Sequence, residues 1–301
     1  MDKLLRDKKA ICLFLAPGII LFTLVLFIPI CQSIYYSLCD WDALSNPEFI
    51  GFGNYIKLFT KDTTMQIALK NSIFFMIFSV VSQLVVGLFL AALLTNIKKG
   101  RNLFKNIYYL PCVLSSAALG LLWMFIFTPK LGINQVLATW GIEGPLWLMD
   151  VSGYITLPMK VIAFVALWQY VGQSMMLYMA QISGIDKSLY EAAYIDGCGP
   201  FRTFLRIMLP GSVPMLVTVF LFSFVWQWND TVYSGIFFPE IPTLANKLYG
   251  MVFTTMGAGT TLMSAVLESP KFFLLITPIV ILYLFTQKLF VQSISRSGIV
   301  G

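Results

Sequence analysis

The stretch Glu191-Ala192-Ala193-Tyr194-Ile195-Asp196-Gly197, followed by Ile207-Met208-Leu209-Pro210, is a hydrophilic element set between two long apolar runs, 157–182 and 213–238. Ser188-Leu189-Tyr190-Glu191 fits a capping box, in which the serine oxygen caps an amide while the glutamate reaches back to the serine amide. Asp186 offers the alternative cap. Ala192 and Ala193 favour helix and keep the surface low enough for close docking. Gly197 suits a left-handed helix end, and Pro200 opens a second helix at its first turn. In that helix Phe201, Phe204, Leu205 and Met208 follow i, i+3, i+4, i+7 spacing, which predicts an apolar stripe. Arg202 and Arg206 project from the other side, towards water or lipid phosphates. Local propensity alone allows an ordinary capped helix pair. Its place on a hydrophobic chain suggests instead a handle that another protein grips.

Working outward, four further apolar runs, about 11–31, 72–95, 107–128 and 272–291, bring the total to six. Runs of about 18 or more apolar residues mark membrane spans, and at 1.5 Å per residue each covers a hydrocarbon core of roughly 30 Å. The 301-residue chain is 58% apolar and only 11% charged, whereas a soluble domain carries about a quarter charged residues. The expectation is an all-α membrane protein with six transmembrane helices in a single domain over 1–301. The first run is read as a retained span. It exceeds the usual 7–15 apolar residues of a signal peptide, no small-x-small cleavage site follows, and Cys31 after Pro29-Ile30 is a poor lipoprotein context.

Lysine and arginine placement sets the expected orientation. Lys3, Arg6, Lys8 and Lys9 precede the first run, and Lys98, Lys99, Arg101 and Lys105 separate the second from the third. Lys187, Arg202 and Arg206 lie between the fourth and fifth, with Lys288 and Arg296 at the end. The other side mixes fewer cations with Asp40, Asp42, Glu48, Asp62, Glu143, Asp150, Glu240 and Glu268. Both termini and the Glu191 loop are therefore expected in the cytoplasm. The formal charge of +6 is this bias seen as a total and requires no nucleic acid.

The five cysteines are scattered without metal-ligand spacing and read as small apolar fillers. Histidine is absent from the sequence, which removes the commonest general base and metal ligand. With no clustered acid/base set in the spans, a membrane enzyme is disfavoured. No phosphate-cradling Gly-x-x-x-x-Gly-Lys-Ser/Thr occurs, so no ATP hydrolysis is expected of this chain. A secondary transporter would show inverted repeats, and none is visible.

Polar residues gather in two runs. The fourth carries Trp168, Gln169, Tyr170, Gln173, Ser174 and Tyr178; the fifth carries Ser223, Trp226, Gln227, Asn229, Asp230 and Thr231. Gln169 and Gln173 share a helix face, as do Ser223, Gln227 and Asp230. Amides and carboxylates are costly against lipid and face a bundle interior or a watery path. Hydrogen-bonding groups beside an indole suit a sugar ring. They also suit helix–helix adhesion, with Trp226 and Trp228 as interface aromatics. Lys160, near the outer end of the fourth run, is expected to snorkel.

The Glu-Ala-Ala, three residues, Gly, nine residues, Ile-x-Leu-Pro arrangement closely resembles the coupling loop of binding-protein-dependent ABC importer permeases of the carbohydrate class (maltose, multiple-sugar and glycerol-phosphate types). Two weaker signs agree: Phe49-Ile50-Gly51-Phe52-Gly53-Asn54-Tyr55 resembles a segment after the first span of sugar permeases, and Gly132-Ile133-Asn134 resembles a glycine–asparagine turn. Gly53 to Leu69 is expected to hold short amphipathic helices on the outer surface. Leu110-Pro111 is expected to open the apolar part of the third span, where proline is tolerated if freed backbone groups find partners. The resemblance runs from about residue 13 to the last span and is strongest at 168–230. Asp186 departs from it, standing where the family often has proline.

The resemblance implies a type I ABC importer permease fold in a bacterial cell membrane, with a transmembrane core about 68–292 and a coupling loop about 183–211. It implies a second permease, two cytoplasmic ATP-binding subunits that hold ATP and magnesium, an extracytoplasmic solute-binding protein and a sugar substrate. No cofactor is expected in this chain. Glu191, Ala192, Ala193, Asp196, Gly197, Ile207, Leu209 and Pro210 would couple to the ATPase, the carboxylates pairing with basic groups there. Gln169, Tyr170, Gln173, Ser223, Trp226, Gln227 and Asp230, with Ser116, would line the path. The rival substrate is glycerol phosphate or a polyol, but a phosphate favours an arginine in the path, and the fourth and fifth runs have none.

Overall fold

The computed structural model describes residues 8–41, 45–97, 99–237, 243–256 and 269–297, with only the helix backbone described at 8–10, 251–256 and 288–297. Lys3, Arg6, Asp42, Lys98, Glu240 and Glu268 lie outside the described residues, and the side chains of Lys8, Lys9, Lys288 and Arg296 do also. The chain divides into two compact units, Met1–Thr63 with Gly250–Ile276, and Thr64–Tyr249 with Thr277–Gly301.

In the first unit, α1 (Lys8–Phe22), a π-turn (Thr23–Phe27) and α2 (Ile28–Ser37) run on from one another. The turn widens because Pro29 has no N–H to return to the carbonyl four residues back; the Ile28 amide bonds instead to Thr23 O. Two short antiparallel strands follow, β1 (Cys39–Asp40) and β2 (Glu48–Phe49), with Cys39 opposite Phe49. Next comes α3 (Gly53–Thr60). Of the amphipathic helices expected over Gly53 to Leu69, only α3 is separate. The rest of that stretch belongs to α4 (Thr63–Asn96), a single helix of 34 residues.

The second unit continues with α5 (Arg101–Val113), α6 (Ser116–Phe127), α7 (Gly132–Thr139) and α8 (Leu157–Ser183). Gly132 thus opens a short helix, with Asn134 inside it donating to Pro145 O at 3.0 Å and accepting from the Trp147 indole at 2.7 Å. After α8 come α9 (Lys187–Ile195), then α10 (Pro200–Thr203), a π-turn (Phe204–Met208) and α11 (Leu209–Gly211), and then α12 (Val213–Trp228) and α13 (Val232–Phe237). This π-turn also ends just before a proline, Pro210, and closes through the Leu209 amide on Phe204 O. The helices α14 (Leu244–Met256) and α15 (Ser269–Ser297) supply residues to both units.

Among the described residues, five helical stretches are long and apolar enough to cross a membrane: Ile11–Ser37, Thr63–Asn96, Ser116–Thr139, Leu157–Ser183 and Ser269–Gln287. Pro200–Gly211 and Val213–Phe237, bent by 69° at Ser212, make a sixth if taken together. The run 107–128, expected as one span, is broken. The chain is extended at Leu114 and Ser115, and α6 resumes at Ser116. A side chain of α8, Gln169, takes the freed Leu114 carbonyl at 3.3 Å, so a tertiary bond replaces a helical one.

Helix α8 is the axis of the second unit. Its Gly172 lies against the backbone of α5, where a Cβ would stand 2.0 Å from Tyr108 O; only glycine permits that approach, as at close crossings in membranes generally. One apolar cluster gathers Phe75, Phe127, Met159, Ile162, Val165, Ala166, Tyr233 and Phe237. Another gathers Leu88, Ala91, Leu94, Met175, Tyr178, Met179, Met208 and Val219. Between these clusters α4, α8 and α12 each carry buried polar residues.

Candidate functional site

That intervening layer contains Ser79 and Gln83 of α4, Gln169 and Ser174 of α8, and Ser223 and Gln227 of α12, all buried. It lies roughly 20 Å from either end of α8 at 1.5 Å per residue. Such a depth holds amides only if they are turned away from lipid and supplied with partners. Gln169 illustrates the supply: its amide nitrogen donates to Ser116 Oγ at 3.1 Å as well as to Leu114 O, and its oxygen accepts from the Tyr233 hydroxyl. Ser116 Oγ also shares a hydrogen bond with the Tyr170 hydroxyl at 3.1 Å. Ser116, Gln169 and Tyr170 are thereby brought together around the break in the α5–α6 run.

A second centre is Gln83, which the sequence reading did not single out. Its Oε1 accepts from Ser223 Oγ at 2.8 Å and Ser174 Oγ at 3.3 Å, tying α4 to α12 and α8. Among the described residues its Nε2 has no hydrogen-bond partner. Gln83, Gln173, Ser174, Ser223 and Trp226 border a cavity of about 10 Å³, close to the least volume that holds one water. Gln83 was legible, because Ser72, Ser79 and Gln83 recur at seven and four residues, the spacing of one helix face.

The other expected path residues separate by exposure. Trp226 (43% exposed), Tyr170 and Gln173 keep open surface, while Gln169, Ser223 and Gln227 are each 3% exposed or less. The rings of Tyr170 and Trp226 stand 5.6 Å apart, and Phe222 stacks on Trp226 at 5.9 Å. Gln173 accepts from the Cys112 thiol at 3.3 Å, so that cysteine is more than filler. Trp228 is buried against Phe224 rather than placed at a surface. Asp230 does not converge on the glutamines. Its carboxylate accepts from the Tyr233 and Ser234 amides at 3.3 and 3.0 Å, which caps α13.

At the other end of α8, α9 is capped by Asp186, whose carboxylate accepts from the Ser188 amide at 2.9 Å. The alternative cap therefore prevails over the Ser188–Glu191 box, because the chain enters the helix two residues earlier. That amide bond holds the Asp186 carboxyl below the ordinary carboxylate range. Gly197 ends the helix with φ +70°, and Pro200 stands at the first turn of α10. Within α9 only Ala193 is buried; Glu191 and Ala192 are exposed, as are Asp196 and Gly197 after it. Tyr194 and Ile195 are more than four-fifths exposed. The stripe expected over Phe201–Met208 does not all turn inward. Met208 is buried, whereas Phe201 and Leu205 are exposed, since the π-turn shifts the register between them. Ile207 and Leu209 are half-buried, Pro210 is exposed, and Gln181 of α8 reaches Gly211 O at 3.0 Å beside the Ser212 bend.

The family described as "Binding-protein-dependent transport system inner membrane component" matches residues 83–296. The chain is 39% identical over 217 residues to the probable ABC transporter permease protein YurN of Bacillus subtilis, covering 70% of this chain and 72% of that one. It is 31% identical over 258 residues to the sn-glycerol-3-phosphate transport system permease protein UgpA of Escherichia coli, covering 83% and 85%. It is 33% identical over 250 residues to the lactose transport system permease protein LacF of Rhizobium radiobacter, covering 79% and 80%. The fold resembles a chain in the crystal structure of a bacterial alginate ABC transporter in complex with an alginate pentasaccharide-bound periplasmic protein, with a TM-score of 0.71, 19% identity and coverage of 96% and 97%. A layer of hydrogen-bonding groups within apolar helices, an exposed capped helix between two of them, and a family match over most of the chain agree with one another: the chain belongs to the inner membrane components of binding-protein-dependent transport systems, the permeases of ABC importers.

Proposed function

We propose that this permease carries a neutral sugar, in a type I arrangement of six spans with both termini and the α9 loop in the cytoplasm of a bacterium. It pairs with a second permease and two ATPase subunits, which hold ATP and magnesium, and receives its solute from an extracytoplasmic binding protein. The observation that carries the substrate reading is the mid-span layer itself: amides and hydroxyls beside the part-exposed rings of Tyr170 and Trp226, with no cation. Lys160, near the start of α8, is the one basic residue of α8 and α12 together, and it is exposed. Sugar hydroxyls bond to neutral amides and stack on rings, whereas a phosphate calls for arginine or lysine.

In this reading Gln169, Tyr170, Gln173, Ser223, Trp226 and Gln227 border the path, with Ser116 and Asp230 fixing the helices that carry them. Glu191, Ala192, Ala193, Asp196 and Gly197 seat α9 on the ATPase, and Ile207, Leu209 and Pro210 set the angle at which α12 leaves. The similarity to UgpA supports the second reading, glycerol phosphate. Uptake by the reconstituted importer separates them. Saturable accumulation of a radiolabelled sugar, undiminished by excess glycerol 3-phosphate, is expected; accumulation of glycerol 3-phosphate itself would replace the first reading with the second.

A further inference from the structure

Helix α3 carries its apolar residues on the wrong side for a helix packed into its own chain. Phe49 and Phe52 before it, the latter its N-cap, and Ile56 and Phe59 along it are 48–71% exposed. At 3.6 residues per turn, Phe52, Ile56 and Phe59 fall within roughly 60° of arc, and Lys57 and Lys61 lie on the opposite side. The orientation is fixed by hydrogen bonds. Asn54 Nδ2 donates to Ser37 O at 3.1 Å and Cys39 O at 2.8 Å, and the Tyr55 and Ser37 hydroxyls meet at 2.9 Å. Leu58 is the buried apolar residue of the helix. Ser37 is the last residue of α2, so these bonds hold α3 level with the end of a stretch long enough to span the bilayer.

The exposed phenylalanines are therefore adjacent in the chain to the apolar surface of α1, the π-turn and α2, where Phe14, Leu21, Val25 and Ile34 are also exposed. On the other side of α3, Lys57 faces Asp40 at 3.8 Å, and Lys271 faces Asp62 at 3.7 Å, around an open pocket of about 380 Å³ that Lys61 also lines. An apolar face on a helix tied to the end of a stretch long enough to span, opposite a charged face, is the pattern of a helix lying in the plane of a membrane surface.

We infer that α3 is an interfacial anchor: Phe49, Phe52, Ile56 and Phe59 insert among the lipids at the end of the first span, and Lys57 and Lys61 stay in water. The inference rests on the membrane-spanning reading of Ile11–Ser37 and is independent of the substrate. The anchor fixes the depth and tilt of the first span.

The test uses the complete importer in phosphatidylcholine vesicles, with the five native cysteines replaced and one environment-sensitive fluorophore placed by Phe52→Cys, Lys61→Cys or Ile20→Cys in variants that retain uptake. The fluorophore at position 52 should emit to the blue, resist aqueous iodide and be quenched best by a nitroxide just below the headgroups. At 61 iodide should quench it freely. At 20 a nitroxide deep in the acyl region should be the better quencher. Iodide quenching at 52 as strong as at 61, or shielding at 52 only after the binding protein is added, overturns the anchor while leaving the span intact. Loss of deep quenching at 20 overturns the span itself.

Discussion

Gln83 and Gln227 show how two buried amides of one layer differ in meaning. Gln83 spends its oxygen on two serine hydroxyls from two helices. Gln83→Leu leaves both hydroxyls buried without that acceptor, a loss of about 1–3 kcal/mol, at the low end because polar contacts between membrane helices average only about 0.6 kcal/mol. The melting temperature of the detergent-solubilised complex should fall. Adding Ser174→Ala and Ser223→Ala to the same chain should recover most of the loss, since removing all partners together is nearly neutral. A triple variant as weak as Gln83→Leu would show that the glutamine fills space rather than bonds. Gln227 is 3% exposed, yet among the described residues its side chain forms no hydrogen bond. Nothing in the fold is lost with its amide, so Gln227→Leu should leave the melting temperature equal or higher. If the amide serves the solute, uptake should drop by roughly one to two decades, at 1.4 kcal/mol per decade. A fall in stability with normal uptake is the opposite signature, that of helix adhesion.

At the scale of elements, α8 depends on one approach and α9 on one cap. Gly172→Ala would put a methyl 2.0 Å from the Tyr108 carbonyl oxygen, and backbone cannot yield as a side chain does. Separation of α5 from α8 should cost about 1–3 kcal/mol or more, read as lower thermal stability and reduced yield of assembled complex. Asp186 holds the start of α9 through the Ser188 amide, and its carboxyl is lowered from the ordinary value by that bond. A lowered carboxyl stabilises the folded helix fully above its unfolded value of about 3.9, and the contribution is lost as pH falls through the folded value. Amide exchange in α9, corrected for intrinsic rates, should be level from neutral pH to about 4 and rise below it. Asp186→Asn caps without titrating and should flatten that rise; an unchanged profile would remove the cap from the explanation. The helices themselves were legible, because their apolar runs and punctuation at Gly197 and Pro200 are local. The break at Leu114 was not, since it is held by Gln169, distant in sequence. Asp230 was misplaced for a similar reason: its spacing from Ser223 and Gln227 assumed a helix continuing through 230, but α12 ends at Trp228 and the carboxylate turns to cap the next helix.

For the whole molecule, α8 and α12 run from the α9 loop to the mid-span layer and bond across it through Gln83, so under the proposed function force that enters at α9 is felt in that layer. Tyr194 and Ile195 are exposed, and α9 turns inward through buried Ala193 and through Tyr190, which packs against the second apolar cluster, so its outer face is open to a partner. Gly197 is its weak point. At φ +70° a residue with a side chain costs about 1–2 kcal/mol, and a β-branched one is a genuine outlier there. Among the described residues, nothing beyond its chain neighbours lies within 4 Å of where its Cβ would be, so the strain is confined to the backbone and the spans should insert and pack normally. Gly197→Val should therefore separate coupling from folding: melting temperature and surface yield near the parent's, but uptake and binding-protein stimulation of ATP hydrolysis both lost. Gly197→Asn, which tolerates positive φ better, should retain part of each. Under the proposed function the same element sets the topology, since an ATPase would hold α9 only from inside. Single cysteines at 187 and 202 should resist a membrane-impermeant reagent in intact cells and react once the cells are opened. Labelling of either from outside would invert the orientation and sever α9 from the ATPase, whatever the outcome at Gly197.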